Sequence, residues 1–151
     1  MKGLMIDKQE IVYRSAGSPR IELHRGIATL PSGLTYTAHW MITGEGRPGV
    51  VVCAVHEGRL LFVNSPRPTL NATLLELPRG FGEPDSASPI DDAARELQEE
   101  TGYTGKSFQV VAEYVTDSSV LPARVVVVLC GVDLSQPIKE TDGETSGEIG
   151  R

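Results

Sequence analysis

The stretch Arg95-Glu96-Leu97-Gln98-Glu99-Glu100-Thr101-Gly102-Tyr103 constrains this chain more than any other. On a helix each residue turns by about 100°. With Glu96 at zero, Glu100 lies at roughly +40° and Glu99 at roughly −60°, so the carboxylates share one stripe. Ile90, Ala93, Ala94 and Leu97 fall on a separate apolar stripe suited to a core. Like charges three and four residues apart repel, and acids near a helix C-terminus oppose the macrodipole, each at a few tenths to about 1 kcal/mol. An ordinary solvated helix avoids such crowding without a cation. A divalent cation held by the carboxylate oxygens reverses the sign of both effects. Hard cations such as Mg²⁺ are bound in this way, usually together with substrate phosphates.

The flanks define the element. Ser88-Pro89-Ile90-Asp91 has the form of a helix start, with Ser as N-cap, Pro at the first helical position and an acid in the first turn. Gly102 suits the left-handed residue that ends a helix. The pattern predicts a helix from near Pro89 to Thr101. Before it, Leu75-Glu76-Leu77-Pro78-Arg79-Gly80-Phe81-Gly82-Glu83-Pro84 reads as a strand end followed by a glycine-rich loop. Strand, glycine loop and acidic helix together make a place where backbone N–H groups and a metal hold a pyrophosphate.

From Gly80 to Tyr103 the chain resembles the Nudix box, G-x5-E-x7-R-E-U-x-E-E-x-G-U, in which U is a bulky apolar residue. Arg95, Glu96, Leu97, Glu99, Glu100, Gly102 and Tyr103 match the second half, with Tyr103 accepted as its last apolar residue. The first half departs. The interval from Gly80 to Arg95 is one residue too long, and the first Glu of the box falls on Ser86 or Ala87. That Glu usually supports the loop rather than serving as principal metal ligand. Residues from about 20 to 132 resemble the ADP-ribose pyrophosphatase branch of the family, through Gly49-Val50-Val51-Val52 and Gly58-Arg59-Leu60-Leu61-Phe62-Val63. Where that branch often carries V-R-Q-x-R, this chain has Val63-Asn64-Ser65-Pro66-Arg67 and keeps only Arg67. Pro122 is a weak match to a Pro that the branch places in the loop after the box.

The resemblance implies an α+β Nudix fold, a mixed β-sheet sandwiched with helices, and metal-dependent hydrolysis of a nucleoside diphosphate linked to another group. ADP-ribose or a nucleoside-diphosphate sugar is the implied substrate, and Mg²⁺ the implied cofactor, with Mn²⁺ able to substitute. Glu96, Glu99 and Glu100 are assigned to the metal, with the backbone carbonyl at Arg79-Gly80 as an additional ligand, entered under Gly80. Arg95 orients a glutamate, since it can pair with Glu99 at i+4. Arg67, Arg79 and Gly80 are assigned to substrate, Arg67 with a solvated loop arginine as the equally weighted alternative. The branch often draws its base from a glutamate on a later loop, which makes Glu144 and Glu148 candidates beside the plainer reading of a solvated acidic tail. Two other functions stay open: a non-catalytic or weakly active nucleotide-binding module, favoured by the missing first Glu, and a housecleaning hydrolase of modified nucleoside triphosphates.

Composition suits a soluble enzyme. At 151 residues the chain can bury one substantial core. A net charge of −6 and a pI near 5.0 argue against a long nucleic acid as partner. Cys53 and Cys130 lie in Val-rich runs and read as free thiols in a reducing compartment. The longest apolar run, Val125–Cys130, is too short to span a membrane, and no leader opens the chain, so a cytoplasmic location is expected. His24, His39 and His56 show no metal-ligand spacing, and a lone Trp40 in a strand is more often core or interface than a base-stacking platform.

Around the helix the chain reads as β. Ile11–Arg14, Arg20–His24 and Thr35–Ile42 form an N-terminal extension over residues 1–46, ahead of a Nudix domain over 47–151. Isolated strands of this kind need a partner surface, and in the resembling branch such segments often pack across a dimer, so a homodimer is expected. Val50–Val55 and Leu60–Val63 read as a hairpin about Glu57-Gly58, and Phe108–Thr116 and Arg124–Val132 as later strands. Ser135–Arg151 is polar and has no apolar stripe for a closing helix, so the C-terminus looks shortened and poor order is expected there; Gly147-Glu148-Ile149 resembles the start of a closing strand.

Overall fold

The computed structural model describes residues 4–17 and 19–135, together with the backbone of Ser146–Ile149. Its elements are β1 (Met5–Arg14), β2 (Ile21–Thr29), β3 (Thr35–Thr43), β4 (Gly49–His56), β5 (Arg59–Arg67), β6 (Ala72–Glu76), β7 (Arg79–Phe81), α1 (Pro89–Thr101), β8 (Gly105–Asp117), β9 (Leu121–Val132) and β10 (Ser146–Ile149). They divide into two compact units: Met1–Arg47 with Val115–Arg124, and Pro48–Tyr114 with Val125–Arg151. The architecture is α+β, with a mixed sheet and one α-helix among the described residues.

In the first unit β1, β2 and β3 form an antiparallel sheet in that order. Trp40 lies opposite His24 across β2 and β3, and the two rings stack at 5.4 Å, so Trp40 has a partner inside its own sheet. The backbone N–H of Met41 donates to Val120 O at 2.7 Å, which ties the tip between β8 and β9 to β3.

The second unit is organised by β4. On one edge β4 pairs in parallel with β9, from Gly49 opposite Val125 to Val55 opposite Gly131. Both strands are continuous apolar runs, as buried parallel pairs require. On its other edge β4 pairs antiparallel with β7 at Gly49–Val51 and with β5 only at Val55 and His56. Beyond that hairpin β5 leaves β4 and pairs with β6 over Val63–Arg67 and with β10 over Leu61–Asn64. Val50, Val52, Ala54, Leu61, Val126, Val128, Cys130 and Val132 form the core, closed by Ala93 and Leu97 of α1. Leu97 is fully buried, a contribution of about 1.5–3 kcal/mol.

One expectation changes and one is met. Arg79-Gly80-Phe81, expected in a loop, is a short strand, because β4 offers it an open edge. Gly147-Glu148-Ile149, read as the start of a closing strand, lies in β10, which pairs with β5 over Leu61–Asn64; the rest of the tail from residue 136 lies outside the described residues. Glu144 lies outside the described residues. Glu148 takes its place in β10 opposite Phe62, with its side chain outside the description.

Candidate active site

Helix α1 runs over the 13 residues anticipated, from Pro89 to Thr101. The Ser88 hydroxyl oxygen accepts from the Asp91 N–H at 3.3 Å. Gly102 closes the helix at φ 73°, a left-handed conformation that glycine adopts without strain, and its N–H donates to Gln98 O at 2.8 Å. With both ends capped and Ala93 and Leu97 locked into the core, the rotation of the helix is set. The acidic stripe is therefore aimed at β7.

Strand alternation decides what β7 presents to that stripe. In an antiparallel pair the N–H and C=O of one residue point to the same side. Gly82 N–H donates to Pro48 O at 3.0 Å and Pro78 O accepts from Val52 N–H at 2.8 Å, so residues 78, 80 and 82 face β4. Arg79 and Phe81 face α1: Arg79 N–H donates to Glu100 Oε2 at 3.0 Å, and Phe81 O accepts from Arg95 Nη2 at 2.9 Å. The Gly80 carbonyl, expected as an additional ligand, is turned toward β4 beside Gly49. Among the carbonyls of β7, that of Arg79 is the one facing the helix without serving Arg95.

Gly80 has a steric role of its own. The Glu96 carboxylate occupies the space that a Cβ on Gly80 would fill. Glu96 is buried there, and burial raises its pKa; Arg95 opposes the rise, while Glu99 and Asp92 add to it. Arg95 bridges the stripe, with Nη2 2.8 Å from Glu96 Oε1 and Nη1 donating to Glu99 Oε2 at 2.7 Å. Burial alone would lower the Arg95 pKa, and the two carboxylates outweigh it, holding the guanidinium above its ordinary value. The stripe thus has an internal cation: Arg95 makes the i+4 pair with Glu99 that its spacing allows, and reaches Glu96 as well.

Two further acids complete the surroundings. Asp92 is buried, accepts the Glu83 N–H at 3.0 Å and lies next to Gly82, so it holds the segment after β7 where the first Glu of the box is missing. Glu76, at the end of β6, receives Arg67 through Nε at 2.7 Å and Nη2 at 2.6 Å, and Arg79 through Nε at 2.8 Å. The Arg67 hydrogen bond holds the Glu76 carboxyl below its usual range. Arg67 is a half-buried strand residue, not a solvated loop arginine, and the charge of Glu100 also raises its pKa after that of Glu76. Neither Asp92 nor Glu76 was singled out in the sequence. The offset of three residues between Glu76 and Arg79 was the one available signal.

The donor set fits a divalent cation by its chemistry. Glu96, Glu99 and Glu100 supply hard oxygens on one face, and Glu96 is a buried acid with acidic neighbours, a setting that a hard cation relieves. Among the described residues no group of three acids, imidazoles or thiols is already gathered in metal-binding geometry. Glu99 is turned to Arg95 and Glu100 to the Arg79 N–H, and binding would exchange those bonds. The histidines stay out of this chemistry: His56 Nδ1 lies 3.0 Å from Val132 O, and His24 Nε2 2.9 Å from Glu22 Oε2. Cys53 and Cys130 are free thiols, Cys130 in the core and Cys53 half-buried.

The sequence matches the NUDIX domain family over residues 46–147. This chain belongs to the Nudix family. An ADP-ribose pyrophosphatase of Bacillus subtilis is 37% identical over 71 residues, 46% of this chain and 38% of that protein. An uncharacterized Nudix hydrolase of Schizosaccharomyces pombe is 35% identical over 72 residues, 47% of this chain and 34% of that protein. An ADP-ribose pyrophosphatase of Saccharomyces cerevisiae is 27% identical over 137 residues, 87% of this chain and 54% of that protein. The chain thus spans about a third to a half of the length of these curated relatives. A crystal structure of an ADP compounds hydrolase matches with a TM-score of 0.79 at 16% identity, over 99% of this chain and 78% of that chain, a likeness of fold. No helix among the described residues is long and apolar enough to cross a membrane.

Proposed function

We propose that this Nudix domain hydrolyses the pyrophosphate bond of a nucleoside diphosphate linked to a second group, with ADP-ribose as the leading substrate and Mg²⁺, or Mn²⁺ in its place, as cofactor. The observation that carries the reading is the seating of the Glu96 carboxylate against Gly80, with Glu99 and Glu100 beside it on the same stripe. Two curated relatives named as ADP-ribose pyrophosphatases support the choice of substrate.

Glu96, Glu99 and Glu100 would hold the cation, and the Arg79 carbonyl is the backbone donor best placed to join them. A bound divalent cation polarises phosphoryl oxygens and acidifies water. Arg95 keeps Glu96 and Glu99 in register for that task, and Arg67 and Arg79 bring positive charge to the diphosphate. Glu148 and Glu144 are the candidate bases. The N-terminal unit, with Leu4, Met5, Ile6, Val12 and Tyr13 exposed, suits a homodimer contact, and the free thiols suit the cytoplasm.

The test is a panel of nucleotide substrates with Mg²⁺, read as phosphate released by a coupled phosphatase. ADP-ribose is expected to be turned over and nucleoside triphosphates to be poor substrates. Glu99→Gln and Glu100→Gln are each expected to abolish most turnover while leaving the melting temperature close to wild type. Wild-type rates in both variants at saturating Mg²⁺ would sink the assignment. Binding of ADP-ribose without turnover by the unmodified protein would favour the binding-module reading, for which the missing first Glu of the box is the specific observation.

A further inference from the structure

We propose that Glu76 is a positioning residue that braces Arg67 and Arg79 into a rigid fork for the diphosphate of the substrate. The inference rests on the function proposed above and adds to it a residue outside the Nudix box. Three charge-assisted hydrogen bonds converge on this one carboxylate: Arg67 Nε at 2.7 Å on Oε1, and Arg67 Nη2 at 2.6 Å and Arg79 Nε at 2.8 Å on Oε2. Such bonds are short, strong and directional, and a bidentate guanidinium is fixed in its plane as well as its position.

What the brace leaves over is the functional part. None of the three bonds uses Arg67 Nη1 or either terminal nitrogen of Arg79, so both guanidiniums keep N–H donors beyond the brace, and the Arg79 side chain is 52% exposed. Against Glu76 alone the two arginines leave one positive charge, which Glu100 balances in the free protein; with Glu100 turned to a bound cation, that charge is left for a diphosphate. The fork is also tied to the acidic stripe, since the backbone N–H of Arg79 donates to Glu100 Oε2 at 3.0 Å. Between Glu76 and Arg79 the chain has little freedom. Pro78 is fully buried and its carbonyl accepts from Val52 N–H at 2.8 Å, which fixes the distance from brace to strand. Glu76 itself keeps only 17% of its side chain exposed, and both its oxygens are engaged, so it acts through the arginines and not on substrate. Holding two long side chains in place before binding removes the ordering cost that each would otherwise carry into the complex.

The experiment compares wild type, Glu76→Gln and Glu76→Asp by calorimetric titration with the α,β-methylene analogue of ADP-ribose and by steady-state kinetics with ADP-ribose and Mg²⁺. Glu76→Gln is expected to weaken analogue binding and raise KM about tenfold, with kcat within about threefold of wild type. Glu76→Asp, which keeps the charge on a shorter stem, is expected to fall between the two. A purely structural salt bridge would instead lower the melting temperature and leave KM unchanged in the folded fraction. Wild-type KM in a folded Glu76→Gln overturns the proposal. If that variant fails to fold, wild-type KM in Glu76→Asp does so. Failure of the wild-type protein itself to bind the analogue would overturn the proposed function instead, so the two failures are distinguishable.

Discussion

Replacing Gly80 by Ala tests how helix and strand meet. A Cβ at that position overlaps the carboxylate of Glu96. Non-bonded heavy atoms rest at about 3.5–4.0 Å, so something must move by more than about 1 Å. Strand β7 cannot yield easily, since it is paired to β4 and flanked by the bonds of Pro78 to Val52 at 2.8 Å and of Gly82 to Pro48 at 3.0 Å. Helix α1 cannot yield either, with Ala93 and Leu97 both 0% exposed. The Glu96 side chain is what remains. Overpacking of this kind costs about 1–3 kcal/mol. At about 2–4 °C per kcal/mol for a chain of this length, the melting temperature falls by about 2–12 °C. A misplacement of about 1 Å at a reacting centre reduces rate about 100-fold. The assay is kcat/KM for ADP-ribose across a Mg²⁺ titration, beside a thermal melt, with Gly17→Ala as control because nothing lies within 4 Å of its added methyl. Gly80→Ala with kcat/KM within about threefold of wild type and an unchanged melt would refute the seating of Glu96.

Glu96→Gln acts on the same contact with the opposite sign. Burial raises the Glu96 pKa above 4.5, so the folded state binds that proton more tightly than the unfolded chain, and stability is lost as pH rises from 4.5 through the raised value. Metal-free Glu96→Gln is therefore expected to melt higher than wild type at pH 7.5 and to show a flatter pH dependence; a lower melt at that pH would contradict the burial argument. Ser88→Ala removes the N-cap of α1 and is expected to cost about 1 kcal/mol, seen as a melt lowered by about 2–4 °C with kcat little changed. Light scattering at tens of micromolar protein is expected to give a dimer mass, and a monomer mass would remove the role proposed for the N-terminal strands.

Helix α1 was legible to its end residues because capping is local: Ser88, Pro89 and Gly102 each act within one turn. The longer strands were legible from alternation and Val-rich runs. Of the short strands, β6 and β10 were legible only in part, as a strand end at Leu75-Glu76 and a strand start at Gly147-Glu148-Ile149. Strand β7 was not, since a strand of three residues is made by the edge it meets, and that edge lies elsewhere in the chain. The acidic stripe was read correctly in composition, while its contacts depended on tertiary placement. Asp92 looks like an acid favouring the helix dipole, and only burial against the segment after β7 reveals its other task. Glu76 looks like a solvated acid before a Leu-Pro turn, and two arginines from different strands make it a brace. The direction of the Gly80 carbonyl follows from which edge of β7 is paired, a fact no local pattern contains.

The parallel pairing of β4 with β9 also bears on how the chain reaches this state. It closes a long loop that contains β5, β6, β7 and α1, and with them Arg67, Glu76 and the acidic helix. Hairpins and helices form in microseconds, whereas contacts between distant segments are slow because loop-closure entropy is lost first. Helix α1 leaves the ribosome before Val125–Gly131, the strand on which its apolar face will close. The register is weakly specified as well. A slip of one residue along β9 exchanges Val126, Val128 and Cys130 for Val125, Val127 and Leu129, all of them apolar, so hydrophobic pattern alone does not reject it. Shape is the remaining discriminator: Cys130 Sγ packs over Gly105, 3.0 Å from where a Cβ on Gly105 would stand, with Phe108 and Leu97 close about the same point. Refolding slower than that of a domain held by local contacts is what a parallel pairing across so long a loop favours.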